Sequence, residues 1–529
     1  MKRTIDHTYC NPLVLPDYPN LPAKNEPHHG LDTSGWGREG KHLLRDWDIL
    51  AEVDPQGLGK GAGAAGFHPD MTYRREAEWD VRATADPTVM YYDGIWYLYC
   101  TCGYVYDSKD FVHWTPHVDE TFRKISAPMA PTVEHFRGKF YATANSVPLH
   151  AADNPLGPWT PIGEWTLPDG REFLANDPMI FADDDGRLYL YWGLGLGIFG
   201  AQLDPEQPNH LLTTPKHLIT FNGENSWERG GNDNQNWRDG CIEGSWMYKR
   251  NGTYYLLYSV VGTEYYTYCM AAYVSDSPLE NFRLQKRNPV SRSDKGLIRG
   301  GGHGSIVNGP NDTIWCFYTI PVVIDHIFER RIGMDPCGID EEGCLYALTG
   351  SSTPQFAPGI LPHPEEGNAT GLLPCTGFSL TKASSYAPGH RPLYALDEAL
   401  HTWWQHDAGD PAPALEVSLR DEYFLSAVRI IWKDVGLDLK AGIVPGPYQY
   451  MVEAALKDGP WTTVADESRN SVDLTVDYRT FAEIRADRVR LRILGAPAGL
   501  TPGVINFTAF GESAARRERW GHTPLLENG

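Results

Sequence analysis

A short pattern recurs five times between residues 85 and 320, and this recurrence constrains the chain more than its composition does. The copies are Ala85-Asp86-Pro87-Thr88 running into YYDGIWYLYC, Ala130-Pro131-Thr132 into HFRGKFYATA, Asn176-Asp177-Pro178 into ADDDGRLYLYWG, Ile242-Glu243-Gly244 into KRNGTYYLLYS, and Gly302-His303-Gly304 into GPNDTIWCFYT. Each reads as a short strand, a tight turn with Gly or Asn, and an aromatic-rich strand. The copies start 44, 47, 66 and 60 residues apart. A four-stranded propeller blade takes about 40–50 residues, so the third and fourth copies have room for inserted loops. Long segments of 3.6-residue period are absent, and few helices are expected. The pattern predicts an all-β chain built on a five-bladed β-propeller.

The first position of the five copies holds Asp86, Ala130, Asp177, Glu243 and His303. Blades repeat by rotation, so equivalent residues meet near one axis. Gathering three like charges at one point is costly, and a pair of carboxyl groups is what glycoside hydrolysis requires. Inverting enzymes set the pair about 6.5–9.5 Å apart to admit a water, and retaining enzymes about 5–5.5 Å. Blades that are not neighbours suit the wider spacing. Glu243 lies among Cys241, Ile242 and Trp246, surroundings that disfavour its charged form, as a general acid needs. Asp86 is expected as the ionised general base. Asp177 is expected to orient the acid and to raise its pKa by like-charge repulsion. His303, within Gly300-Gly301-Gly302-His303-Gly304, reads two ways. It is an axial residue that orients the acids or reaches a water or cation, or it is a core histidine beside a glycine turn.

The formal charge of −22 disfavours nucleic acid and anionic membranes as partners, though ordinary solubility accounts for it equally well. The 17 Trp and 28 Tyr suit a turn-rich β protein and offer faces to a neutral sugar. Nine scattered cysteines form no CxxC pair and no metal-ligand spacing. The opening MKRTIDHTYCNPLVLPDYP has no apolar stretch of the secretory kind, and no run of apolar residues is long enough to span a membrane. The expected location is cytoplasmic, or secreted if a leader has been trimmed.

Residues 1–80 read as an irregular N-terminal segment and loop insert covering the propeller, with a strand near residues 8–17. The run GLGKGAGAAG lacks the GK[ST] of a phosphate loop and reads as a flexible loop. The propeller is expected over 81–350, a Pro- and Gly-rich linker over 351–370, a β-sandwich over 371–513 and a weakly ordered tail over 514–529.

With these motifs in place, residues 8–350 resemble the catalytic domains of glycoside hydrolase family 43. The likeness rests on ADPTVMYYDGIWYLY, NDPMIF with DGRLYLYWG, IEGSWMYKRNGTYYLLYS, GGGHGSIV, and Glu329-Arg330-Arg331 leading to Met334-Asp335-Pro336. It implies a five-bladed propeller with inverting chemistry, mostly exo-acting α-L-arabinofuranosidases, β-xylosidases and arabinanases, with some galactan-active members. It implies Asp86 as base, Asp177 as pKa-modulating and orienting acid, and Glu243 as general acid. His303 matches an axial histidine near a calcium or sodium ion reached through water, an ion that supports structure. Arg330 matches an arginine near the sugar, and Trp246 and Trp192 are expected as further substrate contacts. Two departures stand out. Met129-Ala130-Pro131 replaces a frequent Trp-Ala-Pro, and the stretch from 18 to 80 is longer than usual. An aromatic sugar contact is therefore expected from elsewhere, including the insert, and Ala130 is expected to leave a gap for a sugar ring.

Residues 371–513 resemble the discoidin, or coagulation factor 5/8 type C, β-sandwich. Ala383-Ser384-Ser385, Ala395-Leu396-Asp397, Thr402-Trp403-Trp404, Arg488-Val489-Arg490-Leu491 and Phe510-Gly511 carry that likeness. These motifs argue for a fold and not a ligand. Trp403 and Trp404 read as core residues or as a sugar platform.

The expected function is an inverting exo-glycoside hydrolase acting on oligosaccharides or polysaccharide side chains. α-L-Arabinofuranosidase is the first choice, with β-xylosidase or a galactofuranosidase or galactan-active enzyme as alternatives. No cofactor is expected for the chemistry. A sugar-binding propeller without catalysis is the alternative from another class, and a retaining or fructosyl-transferring propeller is a third.

Overall fold

The computed structural model describes residues 3–17, 38–57, 82–101, 103–126, 129–195, 197–237, 240–522 and 526. Among the described residues, strands and isolated bridges hold 44% and helices 8%. Five four-stranded antiparallel sheets follow one another over residues 88–118, 132–163, 179–219, 242–284 and 302–347, each with its strands in sequence order. Their first strands are Thr88–Tyr92, Thr132–Phe136, Met179–Ala182, Ile242–Arg250 and Gly302–Asn308. Each first strand touches the next, and the fifth touches the first. The ring is closed, and the expected five-bladed propeller is the fold.

Local chemistry explains the blades. The hairpins at Asp93-Gly94, Arg137-Gly138 and Asn251-Gly252 place both turn residues at positive φ, near 50° and near 78°. That is the two-residue turn whose twist matches the strands. The second strands, such as Leu188–Trp192 and Ile314–Pro321, are buried along their whole length. Their aromatic runs fill the space between neighbouring blades, as strands covered on both faces require.

The strand expected near residues 8–17 is shorter than predicted. Only Thr8–Tyr9 forms a strand, paired with Gln355–Phe356, and Pro16 makes a lone antiparallel bridge to Leu474. Beyond the strand, Asn11 exchanges hydrogen bonds with Met334 of blade five, and the Leu13 N–H donates to the Ile332 carbonyl at 2.9 Å. The segment over 351–370 is not a free linker. The Asp335 carboxylate of blade five accepts from the backbone N–H groups of Gly350 and Ser351, at 3.0 and 3.3 Å, which pins its start to the propeller.

Part of the N-terminal insert is described. Helix α1 (Asp46–Val53) buries Ile49 and Leu50 in a cluster with Trp165 and Phe173, which lie between blades two and three, and Trp192 of blade three. Residues 18–37 and 58–81, including most of the glycine-rich run, lie outside the described residues.

The C-terminal unit is one eight-stranded antiparallel sheet, centred on the long strands Ala414–Val435 and Val476–Gly495. Trp404 sits in this unit's own core, fully buried. Trp403 packs with Leu400, Ile431, Val476 and Ile505 against the propeller. Both tryptophans are packing residues. Polar contacts join the same units: buried Arg82, ahead of blade one, donates to Asp473 at 2.6 Å and to Asp434 at 3.2 Å. The tail differs from expectation. Ser513 caps a helix over Ala514–Trp520, and Arg517 pairs with Glu483 and Glu512, so order extends past 513. No helix among the described residues is long and apolar enough to cross a membrane.

Candidate active site

The repeat converges on the axis through a shared backbone shape. Asp86, Ala130, Asp177 and His303 all adopt left-handed φ, at 50°, 53°, 43° and 34°. In blade four the left-handed residue is Gly244 (φ 58°), not Glu243. Glu243 therefore stands one residue ahead of the repeated slot, where exact equivalence was expected. The cause is steric. A Cβ on Gly244 would fall 2.9 Å from Cγ of His303, so that slot admits no side chain. The strand bulges between Glu243 and Trp246 and supplies the acid from the preceding position.

Asp86, Asp177 and Glu243 are brought together around His303. His303 Nδ1 is 3.6 Å from Asp86 Oδ1 and 3.7 Å from Asp177 Oδ2. Asp86 is buried, and its carboxylate accepts from Arg330 Nη1 at 3.0 Å and from Thr101 Oγ1 at 2.5 Å. Burial pushes its pKa up, but the Arg330 charge, His303 and the Thr101 bond together hold it below the ordinary carboxylate value. Asp177 accepts from the Gly244 N–H at 3.0 Å. Burial, then the charge of Asp86, raise it to about 7. Glu243 is raised to about 7 by burial and by Asp177, while Tyr268 donates its hydroxyl to Oε1 and the Cys241 thiol lies 3.6 Å from Oε2. Near neutral pH the site thus holds one firmly ionised carboxylate beside two acids poised to carry a proton.

Arg330, expected near the sugar, lies against Asp86. Its Nε and Nη2 are buried and have no hydrogen-bond partner among the described residues, so two donors remain. The two tryptophans are corrections. Trp192 is fully buried and stacks on Phe199 at 5.6 Å between ring centroids. Trp246 is buried too, with its indole N–H donating to the Ile306 carbonyl. Both lie on hydrophobic strands whose side chains fill the inter-blade cores. Ala130 is only 2% exposed, so the expected gap beside it is closed. A directly ligated cation needs several converging donors, and no group of three or more His, Cys, Asp or Glu able to hold one exists among the described residues. The ion expected near His303 is one reached through water, which needs no such group, and no chemical step runs through it.

Sequence reasoning missed a set of hydrogen-bonding residues that latch blade to blade. Thr101 of blade one accepts from the Ala130 N–H, and Ser259 of blade four accepts from the His303 N–H. Thr319 of blade five accepts from the Asp86 N–H. Asn145, after blade two's second strand, accepts from the Asp177 N–H. Three of these are hydroxyls directly following or ending the aromatic run, in YLYCT, LLYS and CFYT, a second repeat carried by the same strings. Tyr268 carried no such signal, because its partner Glu243 is 25 residues away.

Residues 81–345 match the family model described as "Glycosyl hydrolases family 43". The chain belongs to that family. Among curated relatives it is 25% identical over 236 residues to a β-D-galactofuranosidase of Aspergillus niger, covering 41% of this chain and 59% of that protein. It is 28% identical over 173 residues to a β-xylosidase of Xylanibacter ruminicola, covering 28% and 51%. It is 27% identical over 290 residues to an arabinoxylan arabinofuranohydrolase of Paenibacillus polymyxa, covering 44% of each. The matches span about half the length of these relatives.

Proposed function

We propose that the protein is an inverting, exo-acting glycoside hydrolase that releases a terminal furanose or pentose from an oligosaccharide or polysaccharide side chain. The observation that carries this reading is the opposite tuning of two axial carboxyls: Asp86 is held low and Glu243 is raised to about 7. Ionised Asp86 takes a proton from water, whose oxygen attacks the anomeric carbon. The bond to the leaving oxygen breaks, and Glu243 gives that oxygen its proton, so that configuration inverts. Asp177 and Glu243 repel each other when both are ionised, so the pair retains a proton near neutral pH, and Asp177 braces Gly244 beside Glu243. Arg330 fixes the Asp86 carboxylate in place.

α-L-Arabinofuranose is the sugar we assign first. The relatives named for β-xylosidase and β-D-galactofuranosidase activity support those two readings next. A panel of nitrophenyl α-L-arabinofuranoside, β-D-xyloside and β-D-galactofuranoside separates them. Glu243→Gln should lose at least about a hundredfold in kcat on natural linkages, and NMR of the released sugar should show the inverted anomer first. Turnover by Glu243→Gln equal to wild type, or a retained anomer, overturns the mechanism. For the C-terminal sheet we propose a discoidin-like sandwich that buttresses the propeller, supported by the buried Arg82 pairs and by Tyr266, which hydrogen-bonds His401 at 3.0 Å two residues from Tyr268.

A further inference from the structure

A buried carboxylate from the N-terminal insert reaches the turn that carries Asp177. Asp46 opens helix α1 and is 2% exposed. Its Oδ2 accepts from Asn176 Nδ2 at 3.0 Å. Asn176 immediately precedes Asp177. Its side-chain oxygen accepts from Ser146 Oγ at 3.2 Å, and its carbonyl accepts from the Gly193 N–H at 2.8 Å. Ser146 in turn follows Asn145, which accepts the Asp177 N–H. The same insert grips this turn a second time, because Arg38 donates to the Ser146 carbonyl at 2.7 Å while holding Glu164 with two N–H groups.

The chemistry of Asp46 is not that of a packing contact. An apolar residue would bury at that place without the cost of desolvating a carboxyl. Burial raises its pKa to about 6, opposed by the bond from Asn176 and the charge of Arg45. Asp177 itself sits at left-handed φ, a conformation that persists only where the surroundings over-determine it. Its carboxylate must meet the Gly244 N–H at 3.0 Å while facing His303 at 3.7 Å.

We propose that Asp46 is a positioning residue: by fixing Asn176 it holds the Asp177 carboxylate in the orientation that serves Glu243. The inference rests on the functional reading above, and it makes the insert part of the active site's support.

The test uses the full chain with Asp46→Leu, Asp46→Asn, Asn176→Ala and the double variant Asp46→Leu/Asn176→Ala. Asn at position 46 keeps an oxygen that accepts from Asn176, and Leu does not. Asp46→Leu should lower kcat about tenfold to a hundredfold, as a small misplacement does, with KM within about twofold. Asp46→Asn should stay within about threefold of wild type, and the double variant should cost no more than Asn176→Ala alone, because both changes remove one bond. Hydrogen exchange gives a readout independent of turnover: the amides of Ser146, Asp177 and Gly193 should exchange faster in Asp46→Leu and at the wild-type rate in Asp46→Asn. Wild-type exchange and kcat in Asp46→Leu, equal damage from Asn and Leu, or additive costs overturn the proposal. Should Asp46→Leu not fold, Asp46→Asn and Asn176→Ala decide by the same measurements. A wild-type protein inert on every glycoside refutes the functional reading alone, and the exchange rates still decide the brace.

Discussion

Removing one hydroxyl from Tyr268 should move the alkaline limb of activity upward. Tyr268 is fully buried and donates its phenol O–H to Glu243 Oε1. A hydrogen bond to a charged acceptor is worth about 1.5–3 kcal/mol and to a neutral one about 0.5–1.5. The bond therefore favours the ionised form of Glu243 by roughly 1 kcal/mol, and 1.36 kcal/mol corresponds to one pKa unit. Tyr268→Phe deletes that preference and keeps the ring, against which Gly302 packs so closely that a Cβ there would lie 2.6 Å away. Glu243, at about 7 in the native site, should rise by about 0.7 unit. The sign follows from the role of Glu243: the active form carries its proton, so a higher pKa extends activity to higher pH. The assay is kcat/KM on a nitrophenyl glycoside from pH 5 to 9, with Tm as a check on folding. The alkaline limb belongs to the coupled Asp177–Glu243 pair, so the shift is read on the limb and not assigned to one atom. A limb that stays within about 0.2 unit of wild type, or moves down, refutes the claim that Tyr268 tunes the acid.

Other outcomes follow from the same geometry. Asp177 has a native pKa of about 7 against an ordinary 3.8, so between those values the folded state keeps a proton that the unfolded chain has released. Its contribution to stability therefore falls as pH rises through that window; Asp177→Asn should gain Tm relative to wild type at pH 8 more than at pH 5, and an equal difference at both refutes it. Arg82→Ala takes the buried cation from the half-buried Asp434 and Asp473 and should cost about 3 kcal/mol in denaturant unfolding; a loss under about 1 kcal/mol would show that these ion pairs do not join the two units. Thr101→Val removes both the donor to Asp86 and the acceptor for the Ala130 N–H. Its acid limb should shift to higher pH, because Asp86 loses a bond to its charged form, and an unmoved limb counts against Asp86 as base.

Much of the architecture is legible in the chain because it is set by local periodicity. Five copies of strand, turn and aromatic strand give the blade number, and Asp93-Gly94 or Asn251-Gly252 specify the hairpins by backbone preference alone. Asp86, Asp177 and Glu243 could be singled out because each opens a copy. The misreadings have a common origin. Trp192 and Trp246 look like sugar contacts in one dimension, yet both sit on strands whose other face is covered by the next blade. The tail from 514 carries few apolar residues, but Ser513 and the Arg517 ion pairs order it to 520.

What the sequence alone determined is the repeat and the inventory of acids on its axis. Tertiary structure decided the rest. Whether a carboxyl is ionised depends on desolvation and on charges from other blades, so Asp86 becomes the low acid only when Arg330, 244 residues away in sequence, closes onto it. The offset of Glu243 from the repeated slot arises because His303 occupies the space beside Gly244. Asp46 reaches Asn176 across 130 residues of chain, a contact that no local pattern encodes because folding alone brings the two side chains together.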